Sequence, residues 1–298
     1  MNNRAIMGKR FGAILAKALV ALLLVAACAP APTAPIEEEK VVEVGIITPA
    51  TGPVSASEQL SLMAHLDYTR YFDEEIGIPG VTIEVRWIDC DAQLSLGISA
   101  YRRFVGRGVP ILSSNDLETT ETLRAQSAFE KDKTILVTSS TVEPLAYPVG
   151  AWVYSTAPTW GEQFAVLADY IRENWKEERP PRLAFAIPES AWGWEPEKTG
   201  TKYARSIGME ILPTEVIPWV PLDVTPQLLR LNERGADFVY IQLLQPGASG
   251  ILKDADRLGL TGKIQFCGCW ASVGELMLKS TGTLAEGYLF PRDMPTPD

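Results

Sequence analysis

Three short segments of small polar residues carry the clearest chemistry in this sequence. They are Thr48 to Ser55, which contains Thr51-Gly52-Pro53, then Ser113-Ser114-Asn115-Asp116, and Ser139-Ser140-Thr141. Each stands between a β-branched run and an amphipathic stretch, where a strand would turn into a helix. Such a turn sets hydroxyls beside the free backbone N–H groups of a helix N-terminus, and the positive end of the helix dipole adds attraction for a carboxylate or another anion. Taken singly, each segment reads equally well as an ordinary helix N-cap. Three of them at the carboxyl ends of strands in one sheet point to a ligand site, because open α/β sheets bind ligands there.

Other constellations are weaker. The chain has one histidine, His65, so a His-rich zinc site and most multi-histidine acid/base schemes are excluded, and His65 itself reads as a packed or surface helix residue. Asp89-Cys90-Asp91 has the D-x-D spacing of a metal and sugar-nucleotide motif, but it lacks basic, phosphate-binding surroundings. Gly247-Ala248-Ser249-Gly250 departs from the G-x-S-x-G nucleophile elbow. Cys267-Gly268-Cys269 leaves three readings open: two buried thiols, a strained disulfide, or a redox switch. No cofactor or metal is expected, and no residue is singled out as catalytic.

Composition narrows the class. Of 298 residues, 46% are hydrophobic and 21% charged, values that permit a packed core and disfavour wholesale disorder. At about 150 residues per domain, two domains are expected. The formal net charge is −10, and four of the 27 basic residues, Arg4, Lys9, Arg10 and Lys17, precede Cys28 while all 37 acids follow it. So acidic a chain is a poor binder of phosphate backbones, and nucleic acid is not an expected partner.

From Val41 onward, short β-branched runs alternate with longer amphipathic stretches, the pattern of βα units building parallel sheets. Strands are predicted at Val41–Thr48, Val81–Asp89, Val109–Ser113, Thr134–Ser139 and Trp152–Ser155, with helices at Ser57–Glu75, Gln93–Gly106 and Leu117–Phe129. After Thr156-Ala157-Pro158-Thr159 the series repeats. Helices are predicted at Gly161–Glu177, Glu195–Ile207, Thr225–Arg234, Ala248–Leu258 and Ser272–Lys279. The strands between them are Arg182–Ile187, Glu210–Ile217, Phe238–Leu243, Ile264–Cys267 and Gly287–Phe290. The expected fold is α/β: two Rossmann-like doubly wound lobes, 41–157 and 158–290, with a hinge and a cleft between them, and 291–298 beginning a return to the first lobe.

The N-terminus reads as an address. Basic and polar residues lead into Ala18–Ala27, a ten-residue apolar run ending before Cys28. A membrane span needs about 20 apolar residues, so 1–27 is expected to be a cleaved signal peptide. Residues 28–40, with Pro30, Pro32 and Pro35 followed by Glu37-Glu38-Glu39, read as an extended tether.

Val25-Ala26-Ala27-Cys28 resembles the bacterial lipobox, which implies lipidation of Cys28 and attachment at the outer face of the cytoplasmic membrane or in the periplasm. The order Val44-Gly45-Ile46-Ile47-Thr48-Pro49 into Thr51-Gly52-Pro53, then Asp89-Cys90-Asp91, then Ser139-Ser140-Thr141-Val142-Glu143-Pro144-Leu145, then Tyr154-Ser155-Thr156-Ala157-Pro158 resembles the branched-chain amino-acid binding family, the type I periplasmic substrate-binding proteins of ABC importers. The resemblance runs from about Val41 to Phe290. It implies a monomeric carrier without catalysis, which closes over a small solute and delivers it to a membrane permease. A sensor of the same fold, reporting to a membrane receptor, is the alternative.

The resemblance also implies roles. Ser114, Ser139, Ser140 and Thr141 would hold a carboxylate or equivalent polar end, while Trp192 stands in the place of a tyrosine in the family's Y-G turn and Gln242 ends a strand whose tip faces the ligand. Where amino-acid binders carry an acid that pairs with the ligand ammonium, this chain has Trp270. Two tryptophans in a cleft favour a flat, apolar or cationic solute by stacking or cation–π contact, worth about 0.5–2 kcal/mol each; the competing reading makes Trp270 a core residue. The family's usual partner position for Cys90 is Ser113, which implies that this bridge is absent. The resemblance further implies that segments completing both lobes follow Asp298.

Overall fold

Residues 40–140, 142–150 and 152–292 are described by a computed structural model of the chain. The chain divides into Met1–Lys40 and Val41–Asp298, and everything below apart from Lys40 belongs to the second part. The signal peptide, the lipobox, residues 28–39 of the tether and Thr141 lie outside the described residues, and Lys40, expected to end the tether, opens the first strand instead.

Alternation of β-branched runs with amphipathic stretches gives two parallel sheets. The first contains β1 (Lys40–Thr48), β2 (Val81–Asp89), β3 (Ile111–Ser114), β4 (Ile135–Thr138) and β5 (Val153–Ser155) in the order β2-β1-β3-β4-β5. Strands β1, β3, β4 and β5 run parallel, with Ile47 beside Ser114 and Ser113 beside Val137. The second contains β6 (Arg182–Ile187), β7 (Glu210–Ile211), β9 (Phe238–Ile241) and β10 (Gln265–Gly268) in the order β10-β9-β6-β7, with β8 (Glu215–Val216) also on β6. The strand order reverses between β1 and β3 in one sheet and between β6 and β9 in the other. The carboxyl ends at those two reversals are where an α/β fold opens a crevice.

Ten helices are described: α1 (Ser55–Tyr71), α2 (Leu94–Gly106), α3 (Leu117–Ala125), α4 (Ala128–Asp132), α5 (Glu143–Ala146), α6 (Trp160–Asn174), α7 (Ala191–Ser206), α8 (Thr225–Glu233), α9 (Gln245–Arg257) and α10 (Glu275–Thr281). Helix α6 starts on a capping box: the Thr159 hydroxyl accepts from the Glu162 N–H at 3.2 Å and Glu162 Oε2 accepts from the Thr159 N–H at 2.8 Å. Apolar residues of these helices and both sheets form three clusters, of which one joins Leu117, Val142 and Leu145 of the first half to Trp160, Trp192 and Phe185 of the second. The two halves are thus packed together through the turns that follow β3 and β4.

Several predicted elements are corrected. The helix over Leu117–Phe129 is two helices, because Ser127 takes a left-handed conformation at φ 51°. The strand over Glu210–Ile217 is two short strands on β6, separated at Leu212-Pro213-Thr214, where proline removes a ladder donor. Helix α7 begins at Ala191 rather than Glu195, with Pro196 inside it. Gly287–Phe290 forms no strand, only a single bridge from Leu289 to Cys267. Among the described residues no helix is long and apolar enough to cross a membrane.

Candidate functional site

On the first sheet the strand ends at the reversal carry Thr48 and Ser114, both buried. Ser114 Oγ accepts from the Asp116 N–H at 3.2 Å, and Asp116 caps α3 by accepting from the N–H (3.3 Å) and hydroxyl (3.0 Å) of Thr119. The ordinary N-cap reading is therefore right for the middle segment. Helix α1, after the Thr51-Gly52-Pro53 turn, has no side-chain cap. That turn is bound instead to Asp89 and Asp91. The Thr51 hydroxyl donates to Asp89 Oδ2 at 2.6 Å, its N–H donates to Asp89 Oδ1 at 3.2 Å, and Gly52 sits at φ +82° where a Cβ would lie 2.5 Å from Asp91 Oδ1. The D-x-D spacing thus serves the β1 turn, and among the described residues no cluster suited to a metal ion occurs.

Asn115 ties two of the predicted segments together. Its Oδ1 accepts from both the N–H (3.2 Å) and the hydroxyl (2.9 Å) of Ser139. The Ser139 N–H, expected to be free for a ligand, is already taken. Ser140 is buried, and its N–H donates to Thr138 Oγ1 at 3.1 Å.

Two residues on α1 complete this end, and neither was singled out from sequence as part of the site. Glu58 and His65 line a small cavity with Thr48, Ser61, Ser113 and Asn115. Burial pushes the Glu58 carboxyl up to about 7; the hydrogen bond from the Thr48 hydroxyl at 3.5 Å opposes this, and the Asp116 charge adds to it. His65 Nδ1 lies 2.8 Å from the Ser61 carbonyl, which can only accept, so in the neutral ring Nε2 accepts from the Ser113 hydroxyl at 3.4 Å.

On the second sheet, Trp192 follows β6 and Gln242 follows β9, flanking the reversal. Ser190 caps α7 by accepting from the Gly193 N–H at 3.0 Å, and Gly193 is required there because a Cβ would lie 2.1 Å from the Pro188 carbonyl oxygen. Trp192 stacks on Trp219 (5.2 Å between centroids, 21°) and meets Trp160 edge-on at 5.4 Å, while Trp160 stacks on Trp270 at 5.8 Å and 19°. These four tryptophans form one continuous run, of which Trp160 and Trp219 went unremarked in the sequence. Trp270 is half-buried at the edge of the apolar cluster, so it both packs and keeps an accessible side. Gln242 is fully buried, and its Oε1, like Nε1 of Trp160 and Trp270, has no hydrogen-bond partner within the protein. No hydrogen bond among the described residues joins Ser114, Ser139 or Ser140 to Trp192, Gln242 or Trp270; what joins the two halves is the apolar cluster in which Leu117, Val142 and Leu145 pack with Trp160 and Trp192.

Cys90, Cys267 and Cys269 are free and buried. The Cys90 thiol donates to Asp116 Oδ2 at 3.2 Å and the Cys267 thiol to the Val239 carbonyl at 3.4 Å. Of the readings open for Cys267-Gly268-Cys269, the structure takes the two buried thiols.

Two parallel sheets, each with a reversal of strand order and helices packed against it, define a type I periplasmic binding protein fold. The model of the periplasmic binding protein family matches residues 41–298, and the chain belongs to that family. A curated relative, the Leu/Ile/Val-binding protein homolog 3 of Brucella melitensis, is 24% identical over 200 residues, which are 67% of this chain and 53% of the relative. The chain thus spans about half the length of that relative. Among solved structures, a branched chain amino acid ABC transporter from Thermus thermophilus with bound valine aligns with a TM-score of 0.77 at 24% identity, covering 84% of this chain and 64% of that one. A solute binding protein of an ABC transporter from R. palustris, in complex with 4-hydroxybenzoate, aligns at 0.68 and 16% identity, covering 82% and 66%.

Proposed function

We propose that this chain is an extracytoplasmic solute-binding protein that delivers a small polar, amino-acid-like or aromatic solute to an ABC importer, its halves 41–157 and 158–290 closing over the solute about the crossing near Thr156–Thr159. One observation carries the reading. The strand-end turns at one sheet reversal carry hydroxyls, those at the other carry indole rings and an amide with unpaired polar atoms, and one apolar cluster packs the two halves together. A flat solute with a polar end answers both sides at once.

In this reading Ser114, Ser140 and Thr141 receive the carboxylate, with Ser139 held in place by Asn115, and Trp192, Gln242 and Trp270 receive the other end. Valine and 4-hydroxybenzoate, named for two structural neighbours, share a carboxylate and differ at that other end. Trp270, in the place of an ammonium-pairing acid, favours the aromatic class. No cofactor enters, and the protein acts as a monomer without turnover. Cys28 carries the lipid, and residues 28–40 let the folded part stand off the membrane beside the permease.

The test is a thermal-shift screen of the full chain against aromatic carboxylates and branched-chain amino acids. At about 1 mM, a solute with a Kd near 10 µM adds roughly 2.7 kcal/mol to stability, a shift of several degrees. Aromatic carboxylates are expected to raise the Tm most. An unchanged Tm with both classes overturns the reading.

A further inference from the structure

Glu195 is a buried acid to which the carrier reading gives no task. It lies on α7 at 6% exposure, three residues after Trp192. The Thr199 hydroxyl donates to the Glu195 main-chain carbonyl at 2.9 Å and also reaches Oε1 at 3.3 Å, and Oε2 has no hydrogen-bond partner. A Cβ built on Gly161 would lie 3.6 Å from Oε1, so the N-terminus of α6 sits against the carboxyl. The backbone N–H groups of Gly161 and Glu143 both favour its charged form. Glu143 opens α5, in the first half just beyond Ser140, whereas α6 and α7 belong to the second. Helix α3 also packs on α7, and Leu117, Val142 and Leu145 share the cluster of Trp160 and Trp192. The carboxyl therefore stands where the ligand-side turns of one half meet the helices of the other.

We infer that Glu195 is a proton-linked latch between the halves, holding the β4–α5 turn to α6 and α7 in the arrangement seen here and holding it more firmly once protonated. The inference rests on the closing motion proposed above. Burial pushes this carboxyl up to about 7, helped by the Glu143 charge and opposed by Thr199 and the two N–H groups. The other ionisable group that senses it is the Tyr240 hydroxyl, which burial keeps un-ionised. When the halves part, water reaches the carboxyl and its pKa falls towards the ordinary range. The closed form then binds the proton more tightly. Closing weakens tenfold per pH unit as pH rises from the ordinary carboxyl range to about 7, and no further above that.

Trp160 and Trp192 sit beside the latch and report on it. Tryptophan emission of the full chain, with no solute added, is recorded from pH 5 to 8.5 for the wild type, E195Q and T199V. The wild type is expected to shift to the red with a midpoint near 7. E195Q, neutral throughout, is expected to keep the low-pH emission at every pH, and T199V, which removes a donor to the carboxylate, to move the midpoint upward. Glu58 titrates in the same range in all three proteins and cancels in the difference. A wild type without a transition, or wild-type and E195Q profiles that superimpose, overturns the latch. If circular dichroism finds E195Q unfolded, the T199V midpoint decides: upward supports the latch and unchanged overturns it. No solute enters the measurement, so a negative result leaves the carrier reading to its own screen.

Discussion

The side-chain amide of Gln242 donates from Nε2 to the main-chain carbonyl of Trp192, 3.4 Å away. In a regular helix that carbonyl would accept from the residue four positions on, but that residue is Pro196, which has no N–H. A strand end on β9 thus supplies what a proline in α7 withholds, and the bond fixes the helix turn that carries the Trp192 indole. Sequence and site are linked directly here. The proline that breaks the helix ladder leaves a carbonyl that a buried glutamine satisfies from β9, the strand beside β6 in the sheet.

This pairing is open to a double-mutant cycle. Gln242→Leu leaves the Trp192 carbonyl buried without a donor and is expected to cost about 1–3 kcal/mol in urea unfolding. Pro196→Ala restores an N–H to the helix. In the double variant the cost of Gln242→Leu is expected to shrink by about 1 kcal/mol or more. Strict additivity of the two substitutions would break the link between Pro196 and Gln242.

Trp270 contributes both an aromatic face, stacked on Trp160, and an unpaired Nε1 donor. The two contributions separate by substitution. Trp270→Phe keeps a face and loses the donor, and is expected to leave the Tm nearly unchanged while weakening the best aromatic carboxylate about fivefold, the value of one ordinary hydrogen bond at the end away from the carboxylate. Trp270→Ala is expected to lower both the Tm and the affinity. Equal affinities for wild type and Trp270→Phe, measured by calorimetry, would remove the indole N–H from the site.

Much of the fold was legible because period-2 and period-3.6 patterns alternate cleanly: Val81–Asp89 and Arg182–Ile187 are strands with the predicted bounds. The turns bearing Ser114, Trp192 and Gln242 were legible for the same reason, since each follows a strand. What stayed hidden depends on contacts between distant segments. Asn115 engages Ser139 across 24 positions, and Glu58 and His65 reach the cavity at the ends of β1 and β3 only because of how α1 lies beside those strands. Helix α7 starts four residues before the predicted Glu195 and holds Pro196 within it, the missing bond being made good by Gln242. Trp160 and Trp219 gave no signal because an isolated tryptophan reads as core. Only folding lines them up with Trp192 and Trp270.

The cysteines offer a check that needs no ligand. Cys90, Cys267 and Cys269 are buried thiols, and burial pushes all three up, Cys269 to about 12, so the reactive thiolate is scarce at neutral pH. Alkylation mapped by mass spectrometry is expected to leave these three unmodified in the native protein and to label each one in denaturant without reductant. Labelling of Cys267 and Cys269 only after reduction would mean that they are bridged.

Glu58 makes stability depend on pH with a definite sign. Its folded-state pKa is raised from 4.5 to about 7. A raised value means that the native protein binds this proton more tightly than the unfolded chain does. The contribution of Glu58 is therefore fully present below pH 4.5, declines as pH rises through 7, and is lost above it. The difference is on the order of 3 kcal/mol at about 1.4 kcal/mol per pKa unit. Glu195, raised into the same range, adds a parallel loss. Wild-type stability in urea is expected to fall between pH 5 and 8. Glu58→Gln, which stays neutral, is expected to flatten part of that slope, matching the wild type near pH 5 and exceeding it at pH 8. Parallel curves for the two proteins would mean that Glu58 ionises in the native state as freely as in water, and that its carboxyl does not face the cavity beside Thr48 and His65.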